Sequence, residues 1–148
     1  MNSDYVQAGQ DLLVKVGHNY RIIGNYQGPE NLYRQTLERK QTTLGKEHPD
    51  TLNSMNNLAV ILGDQGKHEE AEHICRQTLK LQEKVLGKQH PDTLVSMNNL
   101  ATELVNQGKH EEAEEIYWRT FELMKKMLGI EHPDTLISMN NLASELVN

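Results

Sequence analysis

The sequence holds a single cysteine, Cys75, so it cannot form an internal disulfide framework, and a lone thiol fits a reducing compartment. It holds one Phe, one Trp and five Tyr in 148 residues, too little aromatic material to suggest a β-rich core. The apolar residues are mostly Leu, Met, Val, Ile and Ala, which suit helices. No basic stripe is present: acids and bases are interspersed and the net charge is −6. That argues against a non-specific nucleic-acid binder. No apolar run approaches membrane-spanning length. Residues 1–10 lack the charge-then-apolar layout of a secretory leader. Glycines do not form a phosphate-binding loop after a strand pattern, since Gly108-Lys109 lacks the rest of that motif. The expectation is a cytoplasmic chain with no nucleic-acid or membrane partner.

Self-similarity dominates what is there. His-Pro-Asp-Thr-Leu starts at His48, His90 and His132, each 42 residues after the last. Ser-Met-Asn-Asn-Leu-Ala follows at Ser54–Ala59, Ser96–Ala101 and Ser138–Ala143. Gln-Gly-Lys-His-Glu-Glu-Ala-Glu follows at Gln65–Glu72 and Gln107–Glu114. About 26 of 42 positions are identical between the two full copies. A fixed period of this size signals stacked supersecondary units.

Each copy carries two helical patterns. In the first, Leu52, Met55, Leu58, Ala59 and Leu62 recur at helical spacing. Pro49 suits a first helical turn, His48 before it is held out of the helical region, and Asp50 complements the helix dipole. Gly66 is the expected stop. In the second, Ala71, Ile74, Cys75, Thr78, Leu81, Val85 and Leu86 form the apolar stripe, and Gly87 ends it. The short linkers require consecutive helices to pack antiparallel. A degenerate copy lies upstream, with Gly24 aligned to Gly66 and Leu44-Gly45 to Leu86-Gly87. The reading is a degenerate repeat over about 6–47, full repeats over 48–89 and 90–131, and a half repeat over 132–148, all in one domain. The fold class is all-α, a right-handed superhelical stack of antiparallel helix pairs. About seven helices are predicted, over 10–23, 28–43, 50–64, 69–86, 92–106, 111–128 and 134–147.

Several residues invite catalytic readings, and the period weakens each of them. His-Pro-Asp is also the signature of J-domain co-chaperones, where it occurs once, in a loop between two helices; here it recurs and opens a helix. His48, His90 and His132 stand one repeat apart, roughly 10 Å for stacked helix pairs, which ligands about 2 Å from a metal cannot span. His68 to His73 is one residue too long for the helical zinc-protease spacing, so it reads as a solvated helix start. Cys75 aligns with Tyr33 and Tyr117 on an apolar stripe and reads as a packed thiol. Trp118 aligns with Arg34 and Arg76 at outward positions, either a partner contact or packed on the following helix. No catalytic residue, metal site or cofactor is expected.

The combined motifs resemble the 42-residue tetratricopeptide-like repeats of kinesin light chains. They are still more similar to the near-identical repeats at the C-terminal end of fungal and bacterial nucleotide-binding, NLR-like signalling proteins. The resemblance covers nearly the whole chain and is weak before Thr43. It implies a protein-binding scaffold whose concave groove is lined by the first helix of each repeat. Carried over by position, that face holds Asn53, Asn56, Val60 and Asp64, then Val95, Asn98, Thr102 and Asn106. Ile137, Asn140 and Ser144 continue it, with Asn148 last. The helical wheel agrees, placing these positions a quarter-turn or more from the centre of the apolar stripe. Asn56, Asn98 and Asn140 would form a ladder suited to a peptide backbone, with Asn57, Asn99 and Asn141 at the other edge. An equal alternative is that these amides bond the neighbouring helix and set repeat spacing.

The array also reads as incomplete after Asn148, which would leave part of the stripe Leu136, Met139, Leu142 and Leu146 open. Self-association through that helix, or a regulatory role within a larger nucleotide-binding protein, is therefore the alternative to a protein or peptide partner. The acidic balance favours basic partners through association rate.

Overall fold

The computed structural model describes residues 27–147. All regular structure among them is helical. The six helices are α1 (Gln27–Leu44), α2 (Pro49–Asp64), α3 (His68–Val85), α4 (Pro91–Asn106), α5 (His110–Leu128) and α6 (Pro133–Val147). The expected helix at 10–23 lies outside the described residues. The other six expectations match within a residue or so, the prolines being the first helical residue rather than the one before it. The described helices divide into two compact units, one holding α1 and α2 and the other α3 to α6.

Local chemistry sets the ends of the first-type helices. His48 and His90 are N-caps with extended backbone, φ −66° and ψ 136° for His48 and φ −67° and ψ 139° for His90. The imidazole Nδ1 of each accepts the N–H of the Asp two residues on, at 3.1 Å, and His132 does the same for Asp134. Proline at the first position has no N–H to satisfy, so the triplet silences two donors at the helix start. At the other end, Gly66 and Gly108 have φ of +82° and +79°. Lys67 N–H reaches Leu62 C=O at 2.9 Å and Lys109 N–H reaches Leu104 C=O at 2.8 Å. These are left-handed glycine stops that satisfy orphaned carbonyls.

Thr51 adds a tie between helices in the first unit. Its hydroxyl is buried and donates to Gly45 C=O at 2.8 Å. In the second unit, Thr93 repeats this bond to Gly87 C=O at 2.8 Å. The Thr in His-Pro-Asp-Thr therefore fastens α2 and α4 to the turn before each, whereas the buried Thr135 hydroxyl on α6 has no hydrogen-bond partner.

In the first unit, α1 packs on α2. In the second, α3 packs on α4, α4 on α5 and α5 on α6. The core there gathers Leu94, Met97 and Met124, with Leu79, Ile116 and Leu123 against them. Burying a Leu or Met side chain is worth about 1.5–3 kcal/mol. The stripe of α3 departs from expectation. Its buried residues are Ala71, Cys75, Thr78 and Gln82, while Ile74 and Leu81 are half-buried and Val85 is exposed. Gln82 enters the core because Ser96 donates its hydroxyl to Gln82 Oε1. In the next copy Met124 takes the aligned position, and Ser138 Oγ there has no hydrogen-bond partner.

A polar clamp holds successive copies in register. Glu72 on α3 accepts from Gln107 Nε2 at 2.6 Å and Lys109 Nζ at 2.9 Å, both in the α4–α5 turn, and from Arg76 on its own helix at 2.8 Å. Glu30 on α1 is clamped likewise by Lys67 at 2.9 Å and Arg34 at 2.9 Å. His68 is not a solvated helix start. Its Nδ1 lies 2.8 Å from Glu103 Oε2, and Glu103 is buried. His110 and Glu145 repeat the pair at 2.5 Å. The repeated Gln-Gly-Lys-His-Glu-Glu-Ala-Glu string thus supplies both donor and acceptor sides of the contacts between copies.

Two outcomes follow from these contacts. A Cβ at Gly108 would meet nothing within 4 Å, so Gly108→Ala tests backbone strain alone. Urea unfolding should show a loss of about 1–2 kcal/mol, with Gly108→Asn milder. For Glu72, burial would raise the carboxyl pKa, but the bonds from Lys109, Gln107 and Arg76 outweigh it and hold the group at about 2, against 4.5 when free. Its contribution is present above about pH 4.5 and is lost as pH falls toward 2. Urea titrations of wild type and Glu72→Gln should therefore differ by about 1–2 kcal/mol at pH 7 and converge in that acid window.

Candidate functional site

The second unit contains a cleft of about 330 Å³ between α4 and α6, floored by the last turns of α5. From α4 come Pro91, Leu94, Val95, Asn98, Asn99 and Thr102. From α6 come Asp134, Ile137 and Asn141, and from α5 Met124 and Leu128. Its volume is at the lower end of what small ligand pockets hold, enough for one or two side chains.

The geometry follows from helical spacing. Val95, Asn98 and Thr102 lie at i, i+3 and i+7, hence on one face of α4. That face is turned from the Leu94, Leu100 and Leu104 face, which is almost fully buried. Val95 is 49% exposed and Ile137 on α6 is 56% exposed, so two branched apolar side chains flank the cleft in contact with water. Beneath them Met124 is buried.

The polar groups in the cleft differ in how far they are committed. The Thr102 hydroxyl donates to Asn98 C=O at 3.0 Å and lies 3.0 Å from the Tyr117 hydroxyl. Since Thr102 gives its proton to the carbonyl, Tyr117 is the donor to Thr102. Burial pushes the Tyr117 hydroxyl pKa up, keeping that proton in place. The Asn98 amide is less engaged: its Oδ1 is shielded from solvent and has no hydrogen-bond partner. Asp134 stands at the rim, with His132 Nδ1 4.0 Å from its carboxylate.

Of the residues expected in a groove, the cleft brings together Val95, Asn98, Thr102 and Ile137. Asn106, Asn140 and Ser144 are exposed but do not line it. Asn53, Asn56, Val60 and Asp64 belong to α2 in the first unit. There Asn53 and Asp64 are exposed, Val60 is half-buried and Asn56 is buried. Asn148 lies outside the described residues. The three aligned Asn are therefore unequal, buried at Asn56, half-buried at Asn98 and exposed at Asn140. Sequence reasoning missed Met124 and Leu128, although both continue the apolar period of the second helix into its last turn. It also missed Asp134, whose aligned residue Asp50 was read only as a helix-dipole partner.

Two other candidates are placed by their surroundings. Cys75 is buried, and burial together with the Glu103 and Glu72 carboxylates pushes its thiol up to about 12, so it stays protonated and unreactive. Trp118 is more than half exposed, and its aromatic neighbour is Phe121 on its own helix, 6.1 Å between ring centres. No helix among the described residues is long and apolar enough to cross a membrane.

Comparison with known proteins bears on the whole arrangement. The family described as tetratricopeptide repeat matches residues 10–78 and 56–126. A nucleotide-binding leucine-rich repeat (NLR)-like protein of Hyaloscypha variabilis is 48% identical over 53 residues, which is 36% of this chain and only 5% of that protein. The crystal structure of kinesin light chain nearly identical TPR-like repeats from Podosopora anserina superposes with a TM-score of 0.85 at 30% identity. That match covers 91% of this chain and 64% of that one, so the chain spans about two thirds of its length. BtubC (BKLC) from P. vanneervenii shares the fold at a TM-score of 0.80 and 20% identity, over 92% of this chain and 54% of that one. Proteins built on this repeat generally serve as protein–protein interaction modules. With six described helices, helix pairs on a 42-residue period and a family match over most of its length, this chain belongs to the tetratricopeptide repeat family.

Proposed function

We propose that the chain is a protein-interaction scaffold that binds an extended peptide or a partner's extended segment along the exposed face of its first-type helices. The α4–α6 cleft is the part of that face with a defined floor. The observation that carries the reading is Asn98. If the Asn ladder served only to tie neighbouring helices, its amide oxygen would be spent within the fold. Instead Oδ1 is unpaired. Rotation of this amide, whose last torsion is broad, turns the acceptor toward a ligand N–H. Val95 and Ile137 supply apolar contact on either side. Their types differ from Asn53 at the aligned position, so the contacts vary along the array. Asn106, Asn140 and Ser144 would extend the face beyond the cleft, and in the first unit the aligned exposed residues are Asn53 and Asp64, with Val60 half-buried and Asn56 buried. No catalytic role, metal or cofactor belongs to this reading, and the proposed setting is cytoplasmic.

A second reading draws on α6. Leu136, Met139 and Leu146 are exposed, whereas the aligned Leu94, Met97 and Leu104 are buried. Leu146 is 58% exposed against 0% for Leu104. An apolar face of this kind supports self-association through α6. The relative from Hyaloscypha variabilis supports a related role, a regulatory repeat array within a larger nucleotide-binding protein.

The two readings separate experimentally. Binding of a selected peptide, followed by fluorescence anisotropy, should weaken at least tenfold in Val95→Arg and Ile137→Arg, and by several-fold in Asn98→Ala, with thermal midpoints unchanged. Undiminished binding in all three would remove the cleft from the account. Light scattering across a concentration series should show mass rising with concentration if α6 self-associates, and Leu146→Lys should abolish the rise. A constant monomer mass at high concentration would sink the second reading.

A further inference from the structure

We infer that the α4–α6 cleft selects peptide segments in which an apolar side chain is flanked by a lysine or arginine, and disfavours those flanked by aspartate or glutamate. This rests on the groove reading above.

Among the described residues, the only charged side chain lining the cleft is Asp134; none of the described Lys, Arg or His residues lines it. The Asp134 side chain is 61% exposed, so its carboxylate is free to meet a ligand in water at the rim. Its neighbour His132 stands 4.0 Å away and already gives its Nδ1 lone pair to the Asp134 N–H.

Helix N-termini attract anions because they present free N–H groups and the positive end of the dipole. The starts of α4 and α6 both stand at the cleft, through Pro91 and Asp134, yet the first two backbone positions of each are closed to an anion. Pro91 and Pro133 have no N–H. The N–H groups of Asp92 and Asp134 are taken by His90 and His132, each at 3.1 Å. Asp92 and Asp134 also place negative charge where the dipole would otherwise draw it. The same His-Pro-Asp triplet that starts the helices thus converts their ends from anion sites into sites that repel anions.

Val95 and Ile137 flank the opening and Met124 and Leu128 form the floor, which suits one aliphatic or aromatic side chain. A rim carboxylate adds modest affinity, so the basic residue sets preference rather than strength. The expected gain from a flanking Lys or Arg is about two- to fivefold over a neutral residue, falling at high salt. Arg should exceed Lys, since its planar fork matches a carboxylate.

The test uses the full chain and three matched peptides, each with one central Leu or Trp flanked by Arg, Gln or Glu, titrated by fluorescence anisotropy. Val95→Arg locates the binding. The expected order is Arg over Gln over Glu, with roughly tenfold between the ends, and all Val95-dependent. Asp134→Asn, which keeps a short polar side chain at the helix start, should compress that order, and Asp134→Lys should reverse it. Circular dichroism of both variants checks that the helices persist. Val95-dependent binding in which the Glu peptide matches or exceeds the Arg peptide would overturn the charge preference and leave the groove reading standing. An order unchanged by Asp134→Lys would do the same. If none of the three peptides binds in a Val95-dependent way, the groove reading fails and this inference fails with it.

Discussion

Within the second unit the structure depends on one constraint: α4 carries apolar side chains on more faces than a single partner helix can cover. Leu94, Met97, Leu100, Ala101 and Leu104 are all buried, and α4 packs on both α3 and α5 to achieve it. A helix sandwiched in this way has only one face left for solvent. Val95, Asn98 and Thr102 lie there. The binding surface is therefore what remains after the core is satisfied, and it is set on rigid backbone by that core.

Polar contacts then decide register. Apolar packing is non-directional and tolerates sliding; hydrogen bonds and ion pairs do not. The Glu72 clamp reaches from one copy to the turn of the next through Gln107 and Lys109. The His68–Glu103 and His110–Glu145 pairs add a second tie at each step. Thr93 fastens the start of α4 to the preceding turn. These contacts are short in space but span 35 to 37 residues for the pairs between copies, so each depends on the period being kept.

Local features were the ones readable from sequence. Helix starts at Pro49, Pro91 and Pro133 and stops at Gly66 and Gly108 rest on the chemistry of two or three neighbouring residues. Their positions came out within a residue. Features that depend on neighbours from other copies were not readable. His68 looked like a solvated residue because Glu103 is 35 positions away and Glu is not unusual there. Gln82 was absent from the expected apolar stripe because nothing local announces its bond to Ser96. The aligned Asn56, Asn98 and Asn140 are identical in sequence and differ in burial, since burial is set by surroundings rather than by type. The cleft was half visible: its α4 and α6 walls follow from the helical wheel, whereas its floor of Met124 and Leu128 depends on how the last turn of α5 is set between the two walls.

The central claim is that a ligand occupies the face left free by the packed core. It is tested most directly by mapping amide shifts of isotope-labelled protein during titration with an Arg-flanked apolar peptide. The account predicts that shifts concentrate on Val95, Asn98, Thr102, Asp134, Ile137 and Asn141 and saturate at one peptide per cleft. Shifts confined to Leu136, Met139 and Leu146, or to the surface around Trp118, would contradict it.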